Sequence, residues 1–329
     1  MSFEEQRLMN QNLAENKSFK IIINVLLFMT LTLMALGAGV RAMNAGLSCP
    51  DWPLCFGQVI PDFHPGVYFE FIHRAYAGLV ALVFFACAIF IFRSSNVPSA
   101  AKAAAGLGIM VLCSQIVMGG LTVLKLIKNY IVTSHLMLAT TFFCTVLWLS
   151  FVVFPKIEQP KRVDEVPVWF KWLTLTQTAA IGLQILLGGL VASTYAGSVC
   201  VDWPLCNGQW VPTWDGAIGL QITHRFVAYT LCLLIPLVAL YMRSQSTKSW
   251  MTNQVLRLMG ISVVIVILQV AIGIANLMLF IPPVLTVLHQ SVAILLLAVN
   301  LRLYFVSREL LRARSAGGWL GRVGLAVRT

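Results

Sequence analysis

Eight long, mostly apolar runs organise this chain, separated by short polar segments, at residues 21–43, 67–92, 103–124, 132–155, 169–194, 218–242, 257–280 and 284–306. About 20 apolar residues in helical form cross the hydrocarbon of a bilayer. The pattern therefore predicts eight transmembrane helices and an all-α integral membrane protein. Composition agrees. Of 329 residues, 59% are apolar and only 11% charged, and the mean hydropathy is +0.84, a balance that a soluble domain of this length does not normally carry.

Lys and Arg set the expected orientation, because positive residues beside helix ends are retained on the cytoplasmic side. With a cytoplasmic N-terminus, residues 1–20, the loops near 93–102, 156–171 and 243–257, and the tail collect nearly all of them, while the opposite face keeps only Lys125 and Lys128. The net charge of +11 then reads as topology and affinity for anionic headgroups, and not as a nucleic-acid footprint. Arg41, Arg74 and Arg225 stand apart, inside or at the outer ends of helices, where a charge is costly and points to a site. Residues 1–20 mix Glu4, Glu5 and Glu15 with basic residues, unlike a cleavable signal or organelle leader. A bacterial inner membrane is the expected location, with both termini cytoplasmic.

The chain also repeats itself. Cys49-Pro-Asp-Trp-Pro-Leu-Cys55 and Cys200-Val-Asp-Trp-Pro-Leu-Cys206 lie 151 residues apart, and the same offset carries Gly37 to Gly188, Gly46 to Gly197 and His73-Arg74 to His224-Arg225. This predicts two tandem four-helix bundles, residues 21–155 and 169–306, with a linker at 156–168, a segment 1–20 before them and a basic tail 307–329 after. An even number of helices per copy gives both copies one orientation, related by a pseudo-twofold along the membrane normal.

Four of the five histidines fall at matched depth, His73 and His135 in the first copy and His224 and His289 in the second. An intramembrane histidine usually faces the bundle interior, and two imidazoles from facing helices suit the axial positions of a heme iron. Any one of them alone could equally be an interhelical hydrogen-bonding residue. Zinc or copper would lack further ligands in the second copy. Arg74 and Arg225 sit where heme propionates would want a cation, or where an arginine would snorkel to headgroups. Glu70 lies one turn before His73 and has Gln221 as its counterpart. Only the acid can accept a proton or stabilise developing positive charge, so chemistry is expected in the first copy and a supporting heme in the second, unless Glu70 merely orients a histidine. The pairs Cys49 with Cys55 and Cys200 with Cys206 are expected as disulfides on the oxidising face, with a catalytic or relay thiol in the first pair as the alternative. Cys87, Cys113, Cys144 and Cys232 read as small core residues, and His64 as a loop residue.

The segments Glu70-Phe-Ile-His73-Arg74, Val132-Thr-Ser-His135, His224-Arg225 and His289-Gln290, with the two cysteine loops, resemble the heme A synthase family across residues 21–306. The cysteine pairs resemble its bacterial branch. The resemblance implies substrate heme O between His73 and His135, a cofactor heme b between His224 and His289, and oxidation of a ring methyl to a formyl with molecular oxygen. It also implies an electron donor, a heme O synthase partner and a homo-oligomer. Two other classes fit parts of the pattern: a di-heme b-type electron-transfer protein, which gives Glu70 no purpose, and a tandem-repeat transporter, which would carry no heme.

Overall fold

A computed structural model describes residues 17–95, 97–210 and 212–326, with side chains through residue 315. Eight helices carry the chain: α1 Lys17–Ala42, α2 Pro65–Arg93, α3 Ser99–Leu124, α4 Asn129–Val153, α5 Val168–Ser193, α6 Gly216–Ser244, α7 Asn253–Met278 and α8 Pro283–Ala326. All eight are long and apolar enough to cross a membrane. Among the described residues there is no strand, only the single antiparallel bridges Cys55–Gln58 and Cys206–Gln209.

Most helices begin a few residues before the apolar run, because their first turns are polar or proline-led, as at Pro65, Ser99 and Asn129. The last helix differs more. The apolar run stops at residue 306, yet α8 continues to Ala326 through part of the expected basic tail. Buried Leu310 and the neighbouring Leu311 hold it against Val166 and Phe170, and the Arg314 guanidinium donates to the Val166 carbonyl at 2.7 Å.

Packing closes two rings. Helices α1, α2, α3 and α4 each contact the next and α4 returns to α1; α5, α6, α7 and α8 do the same. The rings meet through α1 against α8, α4 against α5 and α4 against α8. Phe84, Ile91, Val146 and Leu149 fill the first ring, while Met34 and Phe143 join Ile181, Ile235 and Ile294 across the boundary. Outward side chains such as Leu82, Leu233 and Val264 remain exposed, which is the low-energy arrangement when the surroundings are lipid tails.

Hydrocarbon offers no partner for polar groups, so those inside must pair internally. Buried threonine hydroxyls donate back one turn, as Thr30 does to the Leu26 carbonyl at 2.7 Å and Thr178 to that of Thr174 at 2.7 Å. Asn300, fully buried, accepts from Gln177 at 2.6 Å and donates to Ser262 at 2.9 Å, tying α5, α7 and α8. The 156–168 segment is packed as well as connecting: Glu158 accepts from the Gln254 amide at 2.7 Å at the start of α7.

On the opposite face, each Asp-Trp-Pro-Leu-Cys segment is a compact loop closed by a disulfide, Cys49–Cys55 at 2.02 Å and Cys200–Cys206 at 2.06 Å. Asp51 accepts from the amides of Phe56 at 2.6 Å and Gly57 at 2.8 Å, and Asp202 from those of Asn207 at 2.6 Å and Gly208 at 2.8 Å. Gly57 and Gly208 hold φ of +71° and +78°, a conformation that glycine adopts without a Cβ penalty. The amide of Gly57 foremost, with that of Phe56, holds the Asp51 carboxyl below its ordinary value; Asp202 is shifted the same way by Gly208 and Asn207.

Two predictions follow from this packing. A Cβ at Gly108 would lie 2.3 Å from the Phe84 ring, whereas one at Gly78 meets nothing within 4 Å. Gly108→Ala should therefore destabilise by about 1–3 kcal/mol through overpacking, and Gly78→Ala should be neutral or stabilising; thermal unfolding in detergent distinguishes them. Because the Asp51 carboxyl is depressed, its contribution to loop stability is present above the unfolded pKa and lost only as pH falls through the lower folded value. Protection of the Phe56 and Gly57 amides against exchange should accordingly hold from neutral pH into the ordinary carboxylate range, and Asp51→Ala should lose it throughout that range.

Candidate functional site

The even-numbered helices all begin on the face that carries the disulfide loops, and each bears one histidine about two turns in: His73 on α2, His135 on α4, His224 on α6 and His289 on α8. Every ring turns its Cε1 edge to a glycine of the preceding helix. Measured from where a Cβ would sit, Cε1 is 2.9 Å from Gly37, 3.1 Å from Gly119, 3.1 Å from Gly188 and 2.8 Å from Gly273 for the four in chain order. Any larger residue would displace the ring. The glycines thus set how deeply each imidazole seats.

His224 and His289 line one cavity of about 480 Å³, within the range of small-molecule sites, and the walls between them are mainly aliphatic, with Gln184, Gln221, Arg225, Tyr229 and Gln269 as polar points. In the first copy His73 lies within electrostatic range of His135. No group of three or more His, Cys, Asp or Glu converges among the described residues. Two facing imidazoles suit a metal whose remaining positions are filled by a tetrapyrrole. The buried Nδ1 atoms of His73, His135 and His289 have no hydrogen-bond partner, and the apolar walls around His224 and His289 suit a flat macrocycle; the residues of that cavity fit a heme.

Three histidines touch a glutamine. Gln115 Nε2 is 3.3 Å from His135 Nε2, Gln269 Nε2 is 3.3 Å from His289 Nε2, and Gln184 Nε2 is 3.1 Å from His224 Nδ1. Each glutamine precedes the seating glycine of its helix by one turn, a Gln-x-x-x-Gly signal that could have been read from the sequence and was passed over. Leu33 takes that place before Gly37.

Glu70 is buried at 4% exposure and its carboxylate is engaged twice, with Arg74 Nη2 at 2.6 Å and as acceptor from the Cys49 amide at 2.9 Å. Gln221 is equally buried, but its Oε1 has no partner. The neighbouring arginines mainly serve the loops. Arg74 donates to the carbonyls of Asp51 at 2.7 Å, Leu54 at 2.8 Å and Cys49 at 3.3 Å; Arg225 donates to those of Asp202 at 3.1 Å, Leu205 at 2.8 Å and Cys200 at 3.0 Å. Each guanidinium fastens a disulfide loop to the helix that bears a histidine. Arg225 also reaches the second cavity, and so does Arg41, which crosses from α1 to donate to the Ala192 carbonyl at 2.8 Å and the Tyr195 hydroxyl at 3.1 Å.

His64 precedes α2 as its exposed N-cap, outside the histidine pairs. Among the cysteines within spans, Cys87 is buried and Cys144 and Cys232 are half-buried, but Cys113 faces outward, which corrects its reading as a core residue. A thiol is apolar enough to face lipid.

The COX15-CtaA family, described as cytochrome oxidase assembly protein, matches residues 20–67 and 60–301. A protein named heme A synthase from Shouchella clausii is 30% identical over 244 residues, covering 73% of this chain and 80% of the relative. Proteins of the same name from Shewanella oneidensis and Caulobacter vibrioides are 26% and 29% identical, covering 84% and 82% of this chain and 92% and 90% of their own lengths. On the extent of that match, this chain belongs to the COX15-CtaA family of cytochrome oxidase assembly proteins.

Proposed function

We propose that this chain is a heme A synthase, an oxidoreductase that converts a ring methyl of heme O to the formyl of heme A with molecular oxygen. Its relatives carry that name, and the observation that supports the reading in this chain is the uneven pair of histidine sites: two pairs of imidazoles on glycine seats, with a buried carboxylate beside only one. In this reading heme O is held in the first copy by His73 and His135. A resident heme b, held in the second copy by His224 and His289, would supply one-electron redox chemistry.

The residues divide the work by environment. Glycine-seated imidazoles orient the macrocycle, and at the second site mainly aliphatic walls surround it. Glu70 keeps its charge balanced by Arg74, while its carboxylate oxygens retain further acceptor capacity. Oxidising a methyl with molecular oxygen removes hydrogen from carbon, and Glu70, one turn before His73 on the same helix, is the acid that in this reading takes a proton or stabilises the positive charge left on the ring. Gln221 can only hydrogen-bond, which suits a site that holds its heme unchanged. Arg41 and Arg225 supply positive charge at the second cavity, where propionates would end. In this reading both termini lie in the cytoplasm of a bacterial cell and both sites toward the periplasmic half of the inner membrane, which the distribution of Lys and Arg supports.

Glu70→Gln should leave both heme sites occupied, since the second copy folds the same arginine-clamped loop with glutamine in place, yet lower heme A formation by about a hundredfold or more. Gln221→Glu should create no second oxidising site. Chromatography of extracted hemes B, O and A reads both variants, and an undiminished heme A yield from Glu70→Gln would return the chain to the electron-transfer reading. His224→Ala or His289→Ala should remove the b-type signal from the reduced-minus-oxidised spectrum while the first ring stays folded. Unchanged heme b in both would count against a cofactor in the second copy.

A further inference from the structure

The four histidines are alike in depth and in their glycine seats, but not in what holds the ring. Gln115, Gln184 and Gln269 each place a side-chain amide on a ring nitrogen of His135, His224 and His289, and Gln184 is further held on the His224 carbonyl at 2.9 Å. The Oε1 of all three glutamines is buried without a partner. The Gln184 nitrogen is fixed by its bond to the His224 carbonyl and holds the ring in position only, whereas turning the amide of Gln115 or Gln269 over exchanges its oxygen and nitrogen, and the oxygen then accepts from a ring N–H. That contact is the one a metal-ligating imidazole needs: it fixes the tautomer, aims the other nitrogen at the metal and strengthens it as a donor.

His73 has no such contact. Leu33 occupies the glutamine position one turn before Gly37, no described side chain hydrogen-bonds the ring, and its Nδ1 is buried and unsatisfied. The neighbouring hydroxyls do not substitute, since Thr32 and Tyr76 bond to each other at 2.9 Å.

We infer that His73 is the exchangeable ligand of the substrate site, held loosely because Leu33 stands where each of the other three histidines has a glutamine. The inference rests on the heme A synthase reading and deepens it. A heme that serves only as a cofactor is kept between two tethered imidazoles. The heme to be oxidised is kept between one tethered and one untethered imidazole, so the iron–His73 bond can break, the nitrogen retaining its electron pair, and one face of the iron opens to a diatomic ligand. Leu33, Gln115, Gln184 and Gln269 act through the histidines as positioning residues.

Carbon monoxide binding to the full-length protein, loaded with heme O and reduced with dithionite, tests this directly, because a six-coordinate ferrous heme must lose a ligand first. The wild-type protein should form the adduct on the first-copy heme, with heme b silent. Leu33→Gln should slow adduct formation by about tenfold or more, in line with the effect of such supporting contacts on metal ligation, whereas Leu33→Met should match wild type. Gln184→Leu, which loosens His224, should make heme b reactive, and this arm does not depend on whether Leu33→Gln folds. Equal rates in wild type and Leu33→Gln, or a silent heme b in Gln184→Leu, would overturn the inference while heme retention and heme A formation still supported the function. A first copy that retains no heme O would overturn both.

Discussion

A bilayer core offers no hydrogen-bond partner, and the placement of every polar side chain in the eight spans answers to that constraint. Hydroxyls fold back on their own helices, Asn300 gathers Gln177 and Ser262, and Thr133 meets Ser193 across the boundary between the rings at 2.9 Å. Against that background, the buried atoms without partners are informative. They cluster on the histidines and the glutamines beside them. Buried polar atoms without partners are uncommon in folded proteins, so their concentration at the histidines marks that region as a candidate site.

Charge is managed as closely. Arg74 and Arg225 make the same three loop contacts, so the positive charge beside each site is common to both copies, but only Arg74 has a carboxylate to balance it. Arg74 is thus ion-paired inside its helix, whereas Arg225 faces a glutamine at the matching position. In the proposed function, the first arrangement would suit an oxidation that expels protons, and the second would favour the carboxylates of heme propionates.

Much of this was legible beforehand. Long apolar runs permit only one architecture in lipid, and the cysteine loops and the His-Arg pairs recur at an offset of 151 residues, with His289 three residues beyond the position that matches His135. Harder to read were features that depend on where side chains end. Arg74 and Arg225 sit at the depth expected of propionate partners, but only coordinates reveal that their guanidinium groups turn back to loop carbonyls. The glutamines show only as a spacing of one turn before a glycine, on a different helix from the histidine they touch, so the sequence marks their positions but not their partners. The length of α8 escaped because hydropathy falls at residue 306 while packing against Val166 and Phe170 continues.

Arg41 ends α1 and bonds to the Ala192 carbonyl, the repeat-equivalent position 151 residues on. Arginine here has alanine as its counterpart, so the bond runs one way only: the end of α1 is fastened to the end of α5, and the guanidinium that fastens it also reaches the neighbouring cavity. The rim of the second cavity is thus built in part by a side chain of the first ring.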